Sequence, residues 1–334
     1  MTSDAVLHKA HKDHNDRRAV LFVCMVIFVA FVPEAVGHLT ARTRAPKFDS
    51  NRAYEDLRQM VGFGPRPAGS PALQQTRQYI EKQLTAAGLN PVEQPFDADT
   101  PNGKVHMVNI RATLPGQTTT HGRLVIGGHY DTKIEHAFPF VGASDAASSA
   151  ALLLELARDL KGHAGPMPIE LVWLDGEEAV CQDWDECDRP GIPDHTYGSR
   201  YYVAQAKKAG TVKDIRAFIL VDMIGARNVI VHREGYSTPW LTDAVWSAAK
   251  RIHDGDQFKD DSYKVEDDHL EFLAAGIPSV DIIDLNDYPQ WHTAQDDLQH
   301  VAAGSLQIVG DVVLEALPGI EKRLTGGSGG SRRS

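Results

Sequence analysis

The chain has 334 residues but only three cysteines, and none has the close spacing that zinc fingers and redox motifs use. Cys24 lies in an apolar run, while Cys181 and Cys187 sit six apart in a polar segment. A chain of this length buries a core without disulfide staples. Two free thiols and a local Cys181–Cys187 disulfide both stay open, and export would permit the second. Basic charge is also scarce: 34 Lys and Arg stand against 45 Asp and Glu, a net charge of −11. Nucleic-acid binding needs a basic footprint, so that class is excluded. There is no internal repeat. The hydrophobic and charged fractions, 42% and 24%, are those of an ordinary globular protein.

The N-terminal region differs from the rest. Residues 1–18 are basic and polar. Residues 19–32 (AVLFVCMVIFVAFV) then carry no charge, directly after Arg17 and Arg18. Fourteen residues are short for a spanning helix, which needs about 20. The pattern is that of a signal peptide, with a small-residue cleavage site at Ala35-Val36-Gly37. Extended through Gly37, the run 19–37 could instead remain as a membrane anchor. Either reading places the remainder outside the cytoplasm, periplasmic, secreted or membrane-tethered. Residues 38–48 read as a linker, 49–322 as a single catalytic domain, and 323–334 (ending GGSGGSRRS) as a disordered tail.

Within 49–322 the pattern begins helical and is broken at 62–71 (GFGPRPAGSP). Strand and helix patterns then alternate. Strands are expected at 105–112, 123–128, 169–174, 215–223 and 279–283. Helices are expected at 145–160, 196–209, 240–251, 269–275 and 303–317. This alternation predicts a three-layer α/β fold: a mostly parallel, mixed central sheet with helices on both faces.

Polar residues gather where the expected strands end, which is where open α/β sheets place their sites. His129 and Asp131 follow one strand, Glu177 and Glu178 another, and Asp222 a third. Asp145 follows a Gly-Ala-Ser turn at the start of an expected helix, Asp267, Asp268 and His269 open a short one, and His292 follows the last strand. Each has an ordinary explanation alone. Asp145 could cap its helix, and paired glutamates are commonly a solvated charge pair. Together they form a mixed imidazole and carboxylate set that suits catalytic zinc. Adjacent glutamates in a loop can point apart, one to bind metal and one to shuttle protons.

The segments HYDTK, GASDAASSAALLLELAR, DGEEA, YGSR, DMIGA, EDDHLEFL and PQWHTAQDD resemble the animal-type glutaminyl cyclases, whose superfamily includes the co-catalytic zinc aminopeptidases. The likeness runs from about Asn51 to Leu317. It implies a zinc exopeptidase-like fold and cyclisation of N-terminal glutamine to pyroglutamate, with peptides bearing a free N-terminus as substrates. It implies Asp145, Glu178 and His292 as ligands of one zinc, and Glu177 as general acid/base. Asp222 and Asp267 would be hydrogen-bonded acids at the reaction centre, and Trp291 a pocket wall. The alternative is a di-zinc aminopeptidase, with His129 and Asp222 on a second zinc bridged by Asp145. Trp184, carried by an insertion at 180–195, Trp291 directly before His292, and Lys133 all favour the cyclase. Asp281 departs from the pattern, since animal cyclases tend to have histidine there. Residues 286–290 depart too, lacking the usual phenylalanine-containing stretch.

Overall fold

The computed structural model describes residues 48–326; the segment 19–37 expected to be a signal or anchor, the expected linker up to 47 and the expected tail beyond 326 lie outside the described residues. Two helices open the fold, α1 (Ser50–Gly62) and α2 (Pro71–Ala86). Asp49 accepts from the Arg52 amide at the start of α1, and Ser70 from the Leu73 amide at the start of α2, where Pro71 presets the first turn. Then come β1 (Val92–Thr100), β2 (Gly103–Leu114), β3 (Arg123–His129), α3 (Ala147–Asp159), β4 (Ile169–Leu174), α4 (Tyr197–Ala209) and β5 (Ile215–Asp222). The chain continues through β6 (Val231–Glu234), α5 (Pro239–Arg251), β7 (Phe258–Tyr263), α6 (His269–Ala274), β8 (Ser279–Ile283) and α7 (Ala303–Gly326).

The main sheet has six strands in the order β1-β2-β4-β3-β5-β8. β4, β3, β5 and β8 are mutually parallel, and the β1–β2 hairpin joins antiparallel at one side. The two-residue period of the central strands splits their side chains between two cores. Leu124, Ile126, Leu171, Trp173, Ile219 and Val221 pack with α1, α2, α3, α5 and α7. Val125, Val172, Leu174, Phe218 and Leu220 pack against α4 and α6. The fold is therefore the mixed, mostly parallel three-layer architecture that the alternation predicts.

Some boundaries differ, for local reasons. β1, β6 and β7 were not expected; β1 carries Pro95 and exposes alternate residues, and β7 is mostly exposed. The expected helix at 145–160 starts only at Ala147, so Asp145 stays outside it. α7 continues through Pro318 to Gly326, past the expected end at Leu317. Pro318 forfeits one helix donor, but Ile320 and Leu324 beyond it are buried in the core and hold the last turns. Among the described residues α7 alone is long and apolar enough to cross a membrane, and more than half of it is buried. It is a core helix.

Candidate metal centre and pocket

Because β3, β4, β5 and β8 run parallel, their C-terminal ends open at one edge, and the polar clusters meet there. β3 ends at His129. Immediately before it, Gly127 and Gly128 give the strand almost no width: a Cβ on Gly128 would lie 2.7 Å from the Val221 carbonyl oxygen and 2.8 Å from Ser149 Cβ. Helix α3 and strand β5 can therefore press against β3, bringing Asp145 and Asp222 to His129. Its Nε2 is 3.1 Å from Asp145 Oδ1 and 3.1 Å from Asp222 Oδ1. The other oxygen of Asp145 faces His292 Nε2 at 3.4 Å, and that nitrogen lies 3.3 Å from Glu178 Oε2. Asp145 thus sits between two clusters, one of Asp145, Glu178 and His292 and one of His129, Asp145 and Asp222. In each, one donor atom per residue lies within 4.8 Å of the others.

Asp145 is held by its backbone. The N-cap of α3 is Ala146 and receives no side-chain hydrogen bond, so Asp145 is not a helix cap. Buried Asp296 accepts from the Ser144 amide at 2.7 Å, the Asp145 amide at 3.0 Å and the Tyr288 hydroxyl at 2.6 Å. Fully buried Arg66 donates to the carbonyls of Tyr130, Val141 and Gly142, clamping the loop before Asp145. The glutamate pair has an equivalent support. Asp131 accepts from the Glu177 amide at 3.2 Å and the Glu178 amide at 3.4 Å. The turn into the pair passes through Gly176 at φ 71°, where a Cβ would also strike the Met107 sulfur. Asp296, Arg66 and the supporting role of Asp131 were not anticipated; they act through backbone contacts that leave no motif.

The electrostatics separate the acids. Burial pushes the Glu177 carboxyl well above the usual carboxylate range; the His129 charge opposes this, and Asp267 and Glu178 reinforce it. Burial raises Glu178 as well, helped by the Asp145 charge. For Asp145, burial is overcome by hydrogen bonds from His129 and His292, and its carboxyl lies below the usual range. Burial alone would lower His292, but the Glu178 charge and bonds to Asp145 and Glu178 push it up to about 10. Asp267 is raised well above its ordinary value by burial and then by Asp222 and Asp268. Asp222 is engaged by His129 and by the Ser149 hydroxyl, while Asp267 Oδ2 has no hydrogen-bond partner. These two acids influence each other through charge.

A cavity of about 270 Å³ opens over this edge. Asp145, Glu177, Glu178, Asp222, Asp267 and His292 line it, together with Trp184 and Trp291. Trp291 stacks on His292 with ring centroids 4.3 Å apart and is 44% exposed. Trp184 stacks on His195 at 4.1 Å. The insertion that carries Trp184 is closed by a Cys181–Cys187 disulfide. Lys133 is buried and donates to the carbonyls of Ala179 and Cys181, so it ties this insertion to the end of β3. Asp281 lies deeper, fully buried, 3.7 Å from His269 Nδ1.

The donor chemistry fits zinc. One imidazole and two carboxylates is a common catalytic set with a position left for substrate. Glu178 Oε1 is buried without a hydrogen-bond partner, as expected of an oxygen kept for a cation.

Known proteins resemble this chain in sequence and in fold. The model of peptidase family M28 matches residues 109–317. A glutaminyl-peptide cyclotransferase-like protein of Bos taurus is 33% identical in an alignment 261 residues long that covers 69% of this chain and 66% of the bovine one. The crystal structure of an Acidobacteriales bacterium glutaminyl cyclase superposes with a TM-score of 0.77 at 36% identity, covering 85% of this chain and 98% of that one. A leucine aminopeptidase precursor from Bacteroides thetaiotaomicron gives a TM-score of 0.75 at 30% identity, covering 82% and 98%.

Proposed function

Because the chain belongs to peptidase family M28, among relatives named glutaminyl-peptide cyclotransferases, we propose that it converts the N-terminal glutamine of peptides to pyroglutamate and releases ammonia. One observation carries this reading: a small cavity is lined by a zinc-type donor set, by Glu177 with its carboxyl raised by burial, and by two tryptophans. Asp145, Glu178 and His292 would hold the metal. Zinc bound there supplies Lewis-acid polarisation of the substrate's side-chain carbonyl. Glu177 takes a proton from the α-amine as the amine nitrogen attacks that carbon and closes a five-membered ring. The C–N bond to the side-chain nitrogen then breaks, and Glu177 returns the proton to the departing ammonia. Attack and leaving groups belong to one residue, so catalysis rests heavily on holding a near-attack shape. Trp291 is a flat wall suited to that task, and Trp184 would add apolar surface that binds the substrate's first residue. Asp222 and Asp267, both raised by burial, would lie beside the centre as acids.

The second reading is a di-zinc aminopeptidase. His129, Asp145 and Asp222 favour it, because they form another possible metal group beside the first. Incubation of the protein with Gln-Phe-Ala, read by mass spectrometry, separates the two. Loss of about 17 Da with the peptide bond intact supports cyclisation with an activated carbonyl. Free glutamine would overturn it in favour of hydrolysis and place a second zinc on His129 and Asp222. We also propose export, supported by the disulfide, which persists in oxidising compartments, and by segment 19–37, which would serve as cleaved signal or anchor.

A further inference from the structure

The stretch between β4 and α4 is long, has no regular element, and runs beside the cavity. Long ordered loops of this kind are usually functional. Cys181 and Cys187 close the segment CQDWDEC with Trp184 at its centre, three residues from each sulfur. The small ring is braced internally, since Glu186 Oε2 accepts from the amides of Gln182 and Asp183. It is also braced outside: Asp194 accepts from the Cys181 amide at 2.9 Å, and Lys133 donates to the Cys181 carbonyl at 2.9 Å.

The return leg is tied to the reacting groups. The Thr196 amide donates to the Glu177 carbonyl at 2.8 Å, and the Tyr197 amide to the Gly176 carbonyl at 2.7 Å. His195, one residue before, is therefore fixed relative to Glu177, and the Trp184 indole lies on its ring at 4.1 Å, tilted by 21°. Trp184 Nε1 has no hydrogen-bond partner. No polar contact of the indole fixes the ring, which leaves the stack on His195 and the covalent closure of its loop to do so.

We propose that the Cys181–Cys187 disulfide and His195 are positioning residues for the substrate pocket, which together hold Trp184 as a preset wall against the substrate's N-terminal residue. The proposal rests on the cavity being the substrate site. Neither the disulfide nor His195 is among the groups that hold the metal or move the proton. Their loss should therefore weaken binding of ground state and transition state alike, which raises KM and leaves kcat. Immobilising one large side chain on binding corresponds to a rise of about 2- to 13-fold in KM.

The test is steady-state kinetics on Gln-Phe-Ala with the full chain, following whichever product forms, ammonia or free glutamine. Product identity judges the reaction; the split between KM and kcat judges this inference. Cys181→Ser/Cys187→Ser should raise KM by about 2- to 13-fold, keep kcat within about 2-fold and keep its zinc. In a Trp184→Ala background the same double change should add nothing, because the residue it positions is gone. An unchanged KM, or effects that multiply, overturns the proposal. Should the double serine variant lose its fold, the histidine decides. His195→Phe keeps a flat partner and should retain KM, whereas His195→Ala should raise it; equal values in the two overturn the proposal.

Discussion

Glu177 and Glu178 are consecutive in the chain yet differ in their surroundings. Glu178 faces His292, while Glu177 is buried with its carboxyl pushed far up. A general base works only when ionised, so the acid limb of kcat/KM should lie above the ordinary glutamate value of about 4.3. Glu177→Gln should lower kcat by about 100-fold or more with zinc retained; full activity in this variant would remove Glu177 from the mechanism. Asp296 makes a subtler case. It touches no donor atom of the cluster but holds the amides of Ser144 and Asp145. Asp296→Asn turns one acceptor into a donor facing those amides, and zinc affinity measured by competition with a chelator should weaken about 10- to 100-fold. Asp296 shows where sequence reading ends. The clusters at His129, Asp145, Glu177, Glu178, Asp222, Asp267 and His292 were legible because each follows or opens a patterned element. A carboxylate whose role is to receive two amides from a segment far away in sequence has no such signature.

At the scale of elements, the hydrophobic pattern fixed the central strands and most helices, because both faces of these strands are buried. It failed at β1 and β7, whose exposed residues carry charge and, in β1, Pro95, and at β6, four residues long, which pairs with β7 across the intervening α5. Close packing of elements yields two predictions. Gly128→Ala would drive a Cβ into the Val221 carbonyl and α3. It should destabilise the fold by about 1–3 kcal/mol in urea unfolding. At the end of α3, burial and then the Glu155 charge push the Asp159 carboxyl up to about 7, and its Oδ2 has no hydrogen-bond partner. An unfolded aspartate titrates near 3.9, so the folded state binds this proton more tightly. Its contribution to stability is present below that value and is lost as pH rises through about 7. Asp159→Asn should therefore raise Tm at pH 8 and change it little at pH 4. An equal shift at both would show that the charge is not the cause.

Over the whole molecule, the site concentrates buried carboxylates that a cation would relieve. Zinc binds the folded chain alone, because its donors come together only there. At a free concentration of about 1,000 times Kd it should add about 4 kcal/mol of stability. Chelation should lower Tm and abolish turnover, and added zinc should restore both. Turnover that survives complete metal removal would exclude the zinc reading.

The donors are strung along the chain in an order with a consequence for biosynthesis. Asp145 and Glu178 flank β4, but His292 follows β8, at the far side of the sheet from the β1–β2 hairpin. Among the described residues β8 pairs only with β5 and is the last strand in chain order, so the third donor reaches the other two after every other strand of the main sheet has been synthesised. With Asp145, Glu178 and His292 as the ligands, a growing chain would thus have this site incomplete until its last strand is in register. Loading of that site would be a late step that reports a finished sheet, whereas a chain truncated before β8 would keep only the group of His129, Asp145 and Asp222.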